Sequence, residues 1–463
     1  MRILLLNPPP EAGQSRDILG PPLGLAYLAA ALQAAGQKVE ILDAFALGLP
    51  WNELEGFLDR SRPDLVGIGG MTPIISASYR AAKIAKRFAR WLVLGGPHVS
   101  ALRSKVFEEA PEFDFALAGE AEETFPMLCK ALEAGQTPGQ EIPGLLSPKS
   151  ENPGAPIIQD LDRLPFPARR LLPNPRYRHP LFGGEPIATV MTSRGCPFGC
   201  VFCDKSVSGR TWRPRSADNV LAELEQIVKE LGLRSIIFYD DLFTLDPERA
   251  IRIAQGMLER KLNLRWKCEG RVNLVNEEAL AWMKRAGCEM IAYGVETPNE
   301  QGLKFLHKGI TAEQAAAAFA KTRAAGIQTL AYFILGIPGE TFADELKTIR
   351  FAREIGADYA QFALLSPFPG TPLCREAVSR GWYREGPALG PAEQGSQRPR
   401  LLTEEWTEDR LKAIQRRAYT GFYLRPGYVL KRLGRLRSGR ELVAGVRSGL
   451  GLLRWRFRAK NKP

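Results

Sequence analysis

Three cysteines fall within eight positions, Cys196, Cys200 and Cys203, in the stretch CPFGCVFC. They are the residues of this chain best equipped to do chemistry. Three thiolates on one loop can hold three irons of a [4Fe–4S] cluster, because soft sulfur ligands suit iron–sulfur chemistry. The fourth iron is then left without a protein ligand, which a cluster needs if it is to bind substrate as well as pass electrons. A zinc site would want a fourth ligand close by, and the three histidines, His98, His179 and His307, are distant in sequence. Cys129, Cys268, Cys288 and Cys374 are scattered and read as small core residues. Seven cysteines in 463 residues are too few for a disulfide framework, so the clustered three point to metal in a reducing compartment.

The elements that must position this loop alternate regularly. At 463 residues the chain has room for about three domains. Residues 1–137 hold apolar runs at 2–7, 38–43, 64–69, 91–95 and 113–118, with helical patterns such as 23–35 between them. Short strands separated by helices imply right-handed crossovers and a parallel sheet, here a flavodoxin-like, Rossmann-type domain of the α/β class. In such folds ligands bind at the carboxyl ends of the strands. Those ends read NPPP, GGMT, GGPHVS and AGEAE, rich in glycine and small polar residues, which suits a ligand site as well as tight turns. Residues 138–186 hold 11 of the 35 prolines and read as an extended linker. Residues 187–380 repeat the alternation, with strands expected at 187–193, 235–240, 264–270, 290–296, 328–335 and 359–365. Six βα units are too few for a closed eight-stranded barrel and predict a curved (βα)6 partial TIM barrel. Residues 381–463 read as a helical region (404–423) and a basic tail.

The Cys-x3-Cys-x2-Cys spacing, with the aromatic Phe202 before the last cysteine, resembles the radical S-adenosylmethionine (SAM) superfamily. Several stretches fit that resemblance in order, each at the end of an expected strand. FYDDLF (238–243) resembles the segment that recognises the SAM amino group, with Asp240 or Asp241 as acceptor. Arg271 in WKCEGRVN sits where the family often contacts the SAM carboxylate or ribose. Glu296 in YGVET resembles a ribose contact, and ILGIPGET (334–341), with Gly336 and Pro338, resembles the backbone site for adenine. Taken singly, an acid at a strand end is more often a helix cap.

A doubly wound domain ahead of this core resembles the cobalamin-binding subclass, as do NPPP…PLGLAYLAA, GGPH and LPFP. The resemblance implies cobalamin contacts from Asn7, Pro8 and Gly24, from Thr72, from Gly95, Gly96, Pro97 and His98, and from Gly119 and Glu120. Two departures qualify it. The Asp-x-His-x-x-Gly motif is absent, since residues 7–13 read NPPPEAG, so no histidine from that loop can ligate cobalt. His98 is expected to be structural or to touch the cofactor's tail. Ala121 stands where the subclass often has glycine, and its methyl would narrow the cofactor's access.

The net charge of +12 is not evenly spread. Residues 421–463 carry twelve Lys and Arg against the single Glu441, so the rest of the chain is nearly neutral. Leu, Val, Trp455 and Phe457 are interleaved with these arginines, a pattern of interfacial helices, which predicts peripheral contact with a membrane. Nucleic acid is the rival partner and ranks lower, because the tail is apolar as well as basic. No apolar run approaches the ~20 residues of a membrane span, and the start of the chain reads as a strand, so a cytoplasmic location is expected.

The resemblance implies that the cluster binds SAM at its open iron, that reductive cleavage gives a 5′-deoxyadenosyl radical, and that methylcobalamin methylates an unactivated carbon of a hydrophobic substrate. The electron donor would be a flavodoxin or ferredoxin. An alternative is radical oxidation, cyclisation or rearrangement of a tetrapyrrole or lipid without methylation, since the core and FYLRPGY (422–428) also look similar to anaerobic magnesium-protoporphyrin ester cyclases and hopanoid-modifying enzymes. Transfer RNA methylthiolation and a non-catalytic carrier fit less well. Residues 1–150 hold only Cys129, and the full set of cluster thiols argues for catalysis.

Overall fold

The computed structural model describes residues 1–16, 18–383 and 400–434. Five parallel strands, β1 (Arg2–Asn7), β2 (Lys38–Asp43), β3 (Leu65–Gly69), β4 (Trp91–Gly95) and β5 (Phe115–Leu117), form the first sheet in the order 2-1-3-4-5. This is the flavodoxin-like order, with its switch point between β1 and β3. The run RILLLN of β1 is apolar because both its faces are covered, as a central parallel strand requires. The helix Leu23–Ala34 is buried along most of its length, which its uniformly apolar sequence anticipates.

The sheet continues beyond β5 with two antiparallel strands, β6 (Leu145–Ser147) and β7 (Ser150–Glu151). These residues lie in the stretch expected to be linker. Ala116 and Leu117 pair with Leu146 and Leu145, so that segment first covers the open edge of the N-terminal sheet. The rest of it runs through short 3-10 turns and is fastened on the way. Ala168 N–H donates to Ala26 O (2.9 Å), and the buried Tyr177 hydroxyl donates to Asp43 Oδ2 (2.7 Å).

The second sheet has six parallel strands in chain order: β8 (Ile187–Val190), β11 (Ser235–Phe238), β12 (Arg265–Gly270), β13 (Cys288–Glu296), β14 (Gln328–Leu335) and β15 (Tyr359–Leu364). A short antiparallel ribbon, β9 (Ser193–Arg194) with β10 (Arg213–Pro214), stands above β8. The expected strand 187–193 is thus broken in two. The intervening helices are locally encoded. Ser216 caps Ala217–Leu231, Gly232 ends it at φ +67°, and Thr311 and Thr341 form capping boxes with Gln314 and Asp344.

Val190, Phe238, Trp266, Tyr293, Phe333 and Phe362 belong to the core between strands and helices. Alternation therefore turns Lys267, Glu269, Glu296 and Tyr332 toward the lumen. The two barrel edges do not meet, and flanking segments cover them instead. At β15 the helix Glu408–Tyr423 supplies Gln415, which donates to Phe362 O (3.0 Å), and Tyr419, which accepts from Phe362 N (3.3 Å). Its Tyr423 hydroxyl bridges the N–H and C=O of Ala360 (3.0 and 2.7 Å). Side chains thus satisfy an edge that a seventh strand would otherwise pair. At β8, Arg169 donates to Thr189 O (2.7 Å).

Candidate active site

The three cysteines occupy the irregular loop between β9 and β10. Gly195 starts it at φ +81°, and a Cβ there would collide with the Thr211 carbonyl, so glycine is required for the loop to return on itself. The loop is held from both sides: Val201 N–H donates to Leu306 O (3.2 Å) and Val201 O accepts from Leu373 N–H (3.0 Å). Phe202 packs into the small apolar cluster containing Val201, Leu306 and Ile337. Arg271, at the end of β12, lies with its guanidinium 3.8 Å from the centre of the Phe198 ring and donates to Lys308 O. Its buried Nε has no partner.

Cys200 is buried, while Cys196 and Cys203 are partly exposed. A hydrogen bond from Cys203, and the nearby charges of Lys308 and Arg271, outweigh burial and bring the Cys200 thiol down to about 5. The same hydrogen bond and burial push Cys203 up. Among the described residues no three His, Cys, Asp or Glu side chains are gathered closely enough to hold a metal ion as they stand. The donor set nevertheless fits an iron–sulfur cluster: three thiols on one irregular loop, with two cations placed to favour thiolate.

The other barrel residues line the rim. Asp240 and Asp241 separate sharply. Asp240 is buried and accepts from Thr192 N (2.5 Å), from the Thr192 hydroxyl and from the Ser193 hydroxyl (2.9 Å). It fastens the β8–β9 turn, so the expectation that either aspartate could accept the SAM amino group narrows to the exposed Asp241. Glu296 ends β13 in the left-handed region at φ +66°, a strained position for a non-glycine residue, and is buried against Lys308 Nζ at 2.6 Å. Gly336 turns at φ +80°, and its N–H donates to Glu345 Oε1 (2.6 Å). Pro338 is half-buried beside it, and Trp406 Nε1 donates to Ile337 O (3.2 Å) and Glu340 O (3.1 Å) from the C-terminal side. Burial and the neighbouring Glu340 carboxylate push Glu345 up to about 8; burial pushes Glu340 up to about 7.

On the N-terminal side the loops after β1, β3, β4 and β5 share one edge of the sheet. Gly70 N–H donates to Gly95 O (2.7 Å) and His98 N–H to Gly70 O (3.2 Å), which interlocks two of them. Gly96 sits at φ +107°, and a Cβ there would lie 2.8 Å from Gly70 O. Pro97 is exposed beside it, and Pro8 is buried. Gly119 is at φ +88° with its N–H on Ser100 Oγ (2.9 Å). Gly24 is exposed, with nothing within 4 Å of where a Cβ would stand. The open backbone at Gly24 and the tight glycine turns make a cradle that suits a large flat cofactor.

The polar side chains expected to grip that cofactor are occupied by the protein itself. Asn7 donates to Asp43 Oδ1 (2.7 Å). His98 is buried, with Nδ1 3.0 Å from the Thr72 hydroxyl and Nε2 3.1 Å from the Tyr79 hydroxyl and 3.2 Å from Glu109 Oε2. Glu120 is buried and accepts from both Nη atoms of Arg213 (2.8 and 2.7 Å) and from Ile158 N–H (2.8 Å). Asn7, Thr72, His98 and Glu120 thus each have a protein partner, and these contacts shape the loops. Sequence reasoning missed Phe198, which meets Arg271, Lys308, which pairs with Glu296, and Arg194 and Arg213, which form the stem of the cysteine loop. Only Arg194 carried a signal, its place directly before Gly195. A cleft of about 430 Å³ near Arg2, Lys38 and Arg60 lies at the opposite, amino edge of the first sheet and touches none of these residues.

A doubly wound domain set against a partial barrel, with a three-cysteine loop between their facing rims, is the arrangement that the sequence resemblance implies for a two-cofactor radical enzyme. Comparison with known proteins specifies it. Residues 190–352 match the radical SAM superfamily model, and residues 14–128 match the B12 binding domain model. The chain is 36% identical over 448 residues to an uncharacterized methyltransferase of Pyrococcus horikoshii, covering 93% of this chain and 94% of that protein. It is 30% identical to the anaerobic magnesium-protoporphyrin IX monomethyl ester cyclase of Rubrivivax gelatinosus, covering 81% and 70%. The radical SAM methyltransferase TsrM from Kitasatospora setae, solved with cobalamin and a [4Fe–4S] cluster, has the same fold, with a TM-score of 0.72 at 20% identity over 92% of this chain and 89% of that one. The chain belongs to the B12-binding radical SAM enzymes, in the branch that contains methyltransferases, with a [4Fe–4S] cluster, SAM and cobalamin as cofactors.

Proposed function

We propose that the protein methylates an unactivated carbon of a hydrophobic molecule that also carries a hydrogen-bond donor. The observation that carries this reading is the apolar lining of the facing rims. Met71 (53% exposed) and Tyr239 (45%) stand open just past β3 and β11, Ile18 (62%) stands open in the loop that follows β1, and the Tyr239 hydroxyl reaches Gly20 of the N-terminal domain. Large apolar side chains left exposed together support a binding surface. Within the lumen, Glu269 is bound by Lys267 Nζ (3.2 Å) and the Tyr332 hydroxyl (3.3 Å) through Oε1. A carboxylate in the lumen can accept from a substrate hydroxyl or amine.

When bound, the cofactors supply a 5′-deoxyadenosyl radical from SAM and a methyl group from cobalamin. The chain's own residues do the placing. Cys196, Cys200 and Cys203 hold the cluster, and Phe198 and Arg271 brace their loop. Asp241 accepts from the SAM amino group, Glu296 with Lys308 receives the ribose side, and the 336–338 backbone meets adenine. Gly24, Gly95, Gly96, Pro97 and Gly119 would give the corrin backbone to lie against, on the same edge as the buried Pro8.

Anaerobic incubation with SAM carrying a trideuterated methyl group, a reduced flavodoxin or ferredoxin, and a lipid and pigment extract of cells lacking the gene tests the reading. A labelled, methylated lipid or pigment formed together with 5′-deoxyadenosine supports it. A new product without label, formed with 5′-deoxyadenosine, would instead establish oxidation or cyclisation, the reading that similarity to the ester cyclase favours.

The site's location at a membrane surface is a further part of the proposal. No helix among the described residues is long and apolar enough to cross a membrane. The apolar and basic stretch 442–457 lies outside the described residues. Just before it, Val429 (43%) and Leu430 (69%) are exposed beside Lys431 and Arg432 on the helix Pro426–Leu433. Equal binding of the full chain and a chain ending at Leu424 to anionic vesicles would remove this part.

A further inference from the structure

Four buried charges join the two domains at the base of the cysteine loop, and neither cofactor as placed above uses them. Arg194 and Arg213 face each other across the β9–β10 ribbon, so they form the stem from which the loop 195–212 springs. Both reach into the loop after β5 of the N-terminal domain. Arg194 Nη2 donates to Glu122 Oε1 (2.5 Å), its Nη1 lies 3.4 Å from Glu120 Oε1, and its guanidinium is 5.2 Å from the ring centre of Tyr27. Arg213 grips Glu120 through two nearly parallel bonds and donates to Ile158 O, which adds the connecting segment to the same joint. All four side chains are less than a tenth exposed.

Affinity between domains does not require such a joint. Apolar side chains of similar volume would hold the surfaces together as well or better, because burying charge has a large desolvation cost. Forked arginine–carboxylate pairs provide direction, since two parallel bonds fix the angle as well as the distance. The backbone between Gly119 and Glu122 belongs to the cofactor-facing edge of the first sheet, and Arg194 is two residues from Cys196. One rigid link therefore runs from the cobalamin rim to the cluster loop.

We infer that Arg194 and Arg213 are positioning residues that set the separation of cluster and cobalamin through Glu120 and Glu122, before any substrate arrives. The test uses the full-length chain as wild type, Arg194→Gln, Arg194→Lys and Glu122→Gln. The last keeps the shape of its site and guards against loss of folding. In the cofactor-free chain, hydrogen exchange is followed by mass spectrometry. In the loaded chain, pulsed paramagnetic resonance reads the distance between cobalt and reduced cluster. Arg194→Gln is expected to speed amide exchange in 119–122 and 195–212 by about tenfold or more while leaving the barrel helices unchanged. It should broaden a single narrow cobalt–cluster distance at unchanged iron content. Glu122→Gln should do the same more weakly, and Arg194→Lys should recover part of the narrow distance. Wild-type exchange and distance in Arg194→Gln and Glu122→Gln would overturn the inference. So would an acceleration spread evenly over the chain, which would mark a merely stabilising contact.

Discussion

The two rims that face each other across this molecule use their polar side chains differently. On the N-terminal rim, Asn7, Thr72, His98 and Glu120 all turn toward protein partners, and what they leave for a cofactor is backbone and apolar surface. On the barrel rim, Asp241 stays exposed, Glu296 holds a strained backbone conformation beside Lys308, and Arg271 keeps a buried Nε without a partner. The difference follows the ligands. A corrin is a broad face that shape and backbone can grip, while SAM is small and charged, and its amino, carboxylate and ribose groups demand side chains placed one by one. Cobalamin binding on such a rim should therefore depend on space, and SAM binding on charge.

Substitutions that separate space from charge can break or sharpen this comparison. The largest effect is expected at the cluster itself: Cys200→Ala should abolish both the iron–sulfur absorbance and SAM cleavage, and retention of either would place the cluster elsewhere. Next, Lys308→Met leaves Glu296 as an unpaired buried carboxylate and withdraws a cation from the thiols. The apparent affinity for SAM should fall by about ten- to a hundredfold, while cobalamin retention stays at the wild-type level. Equal loss of both ligands would mean that charge is not confined to the barrel rim.

Gly24→Leu places a side chain where a Cβ would have no protein atom within 4 Å. Equilibrium dialysis should show cobalamin affinity reduced by about tenfold at an unchanged melting temperature; an unchanged affinity would move the corrin away from this helix. His98→Ala should act in the opposite sense, lowering stability by about 1–3 kcal/mol through its stranded partners Thr72 and Tyr79. The visible spectrum of bound cobalamin should not change, because neither ring nitrogen is free to meet cobalt.

The smallest effect concerns pH. Burial raises Glu345 to about 8 and Glu340 to about 7, both above the unfolded carboxylate value, so the folded chain binds more protons than the unfolded one across that window. Their contribution is fully present below about pH 4.5 and is lost as pH rises through 7 and 8. Between pH 6 and 9 the melting temperature should fall by roughly 2–4 °C more in wild type than in Glu345→Gln. Parallel profiles would show that this carboxylate is already ionised under Gly336.

Much of this architecture was legible in the sequence, for local reasons. Strands 2–7 and 91–95 are found where the apolar runs lie, because a central parallel strand covered on both faces must be apolar throughout, while 38–43 and 328–335 show alternation. The cysteine spacing required no tertiary information. The segment 138–186 connects the two domains and also lends residues 145–151 to the edge of the first sheet, which its proline content does not reveal. Part of the tail, including 442–457, lies outside the described residues.

What the sequence by itself determined is which residues have the right chemistry and on which loops they stand. What only the tertiary structure decided is which of them remain available. Asp240 and Asp241 are adjacent and chemically identical, yet one is buried under Thr192 and Ser193 and the other is exposed. Glu120 reads as a ligand-loop acid until Arg213 is seen to reach it from 93 residues away. A side chain's chemistry is a property of its own atoms, but its availability depends on whether another part of the chain has already met its hydrogen-bonding need.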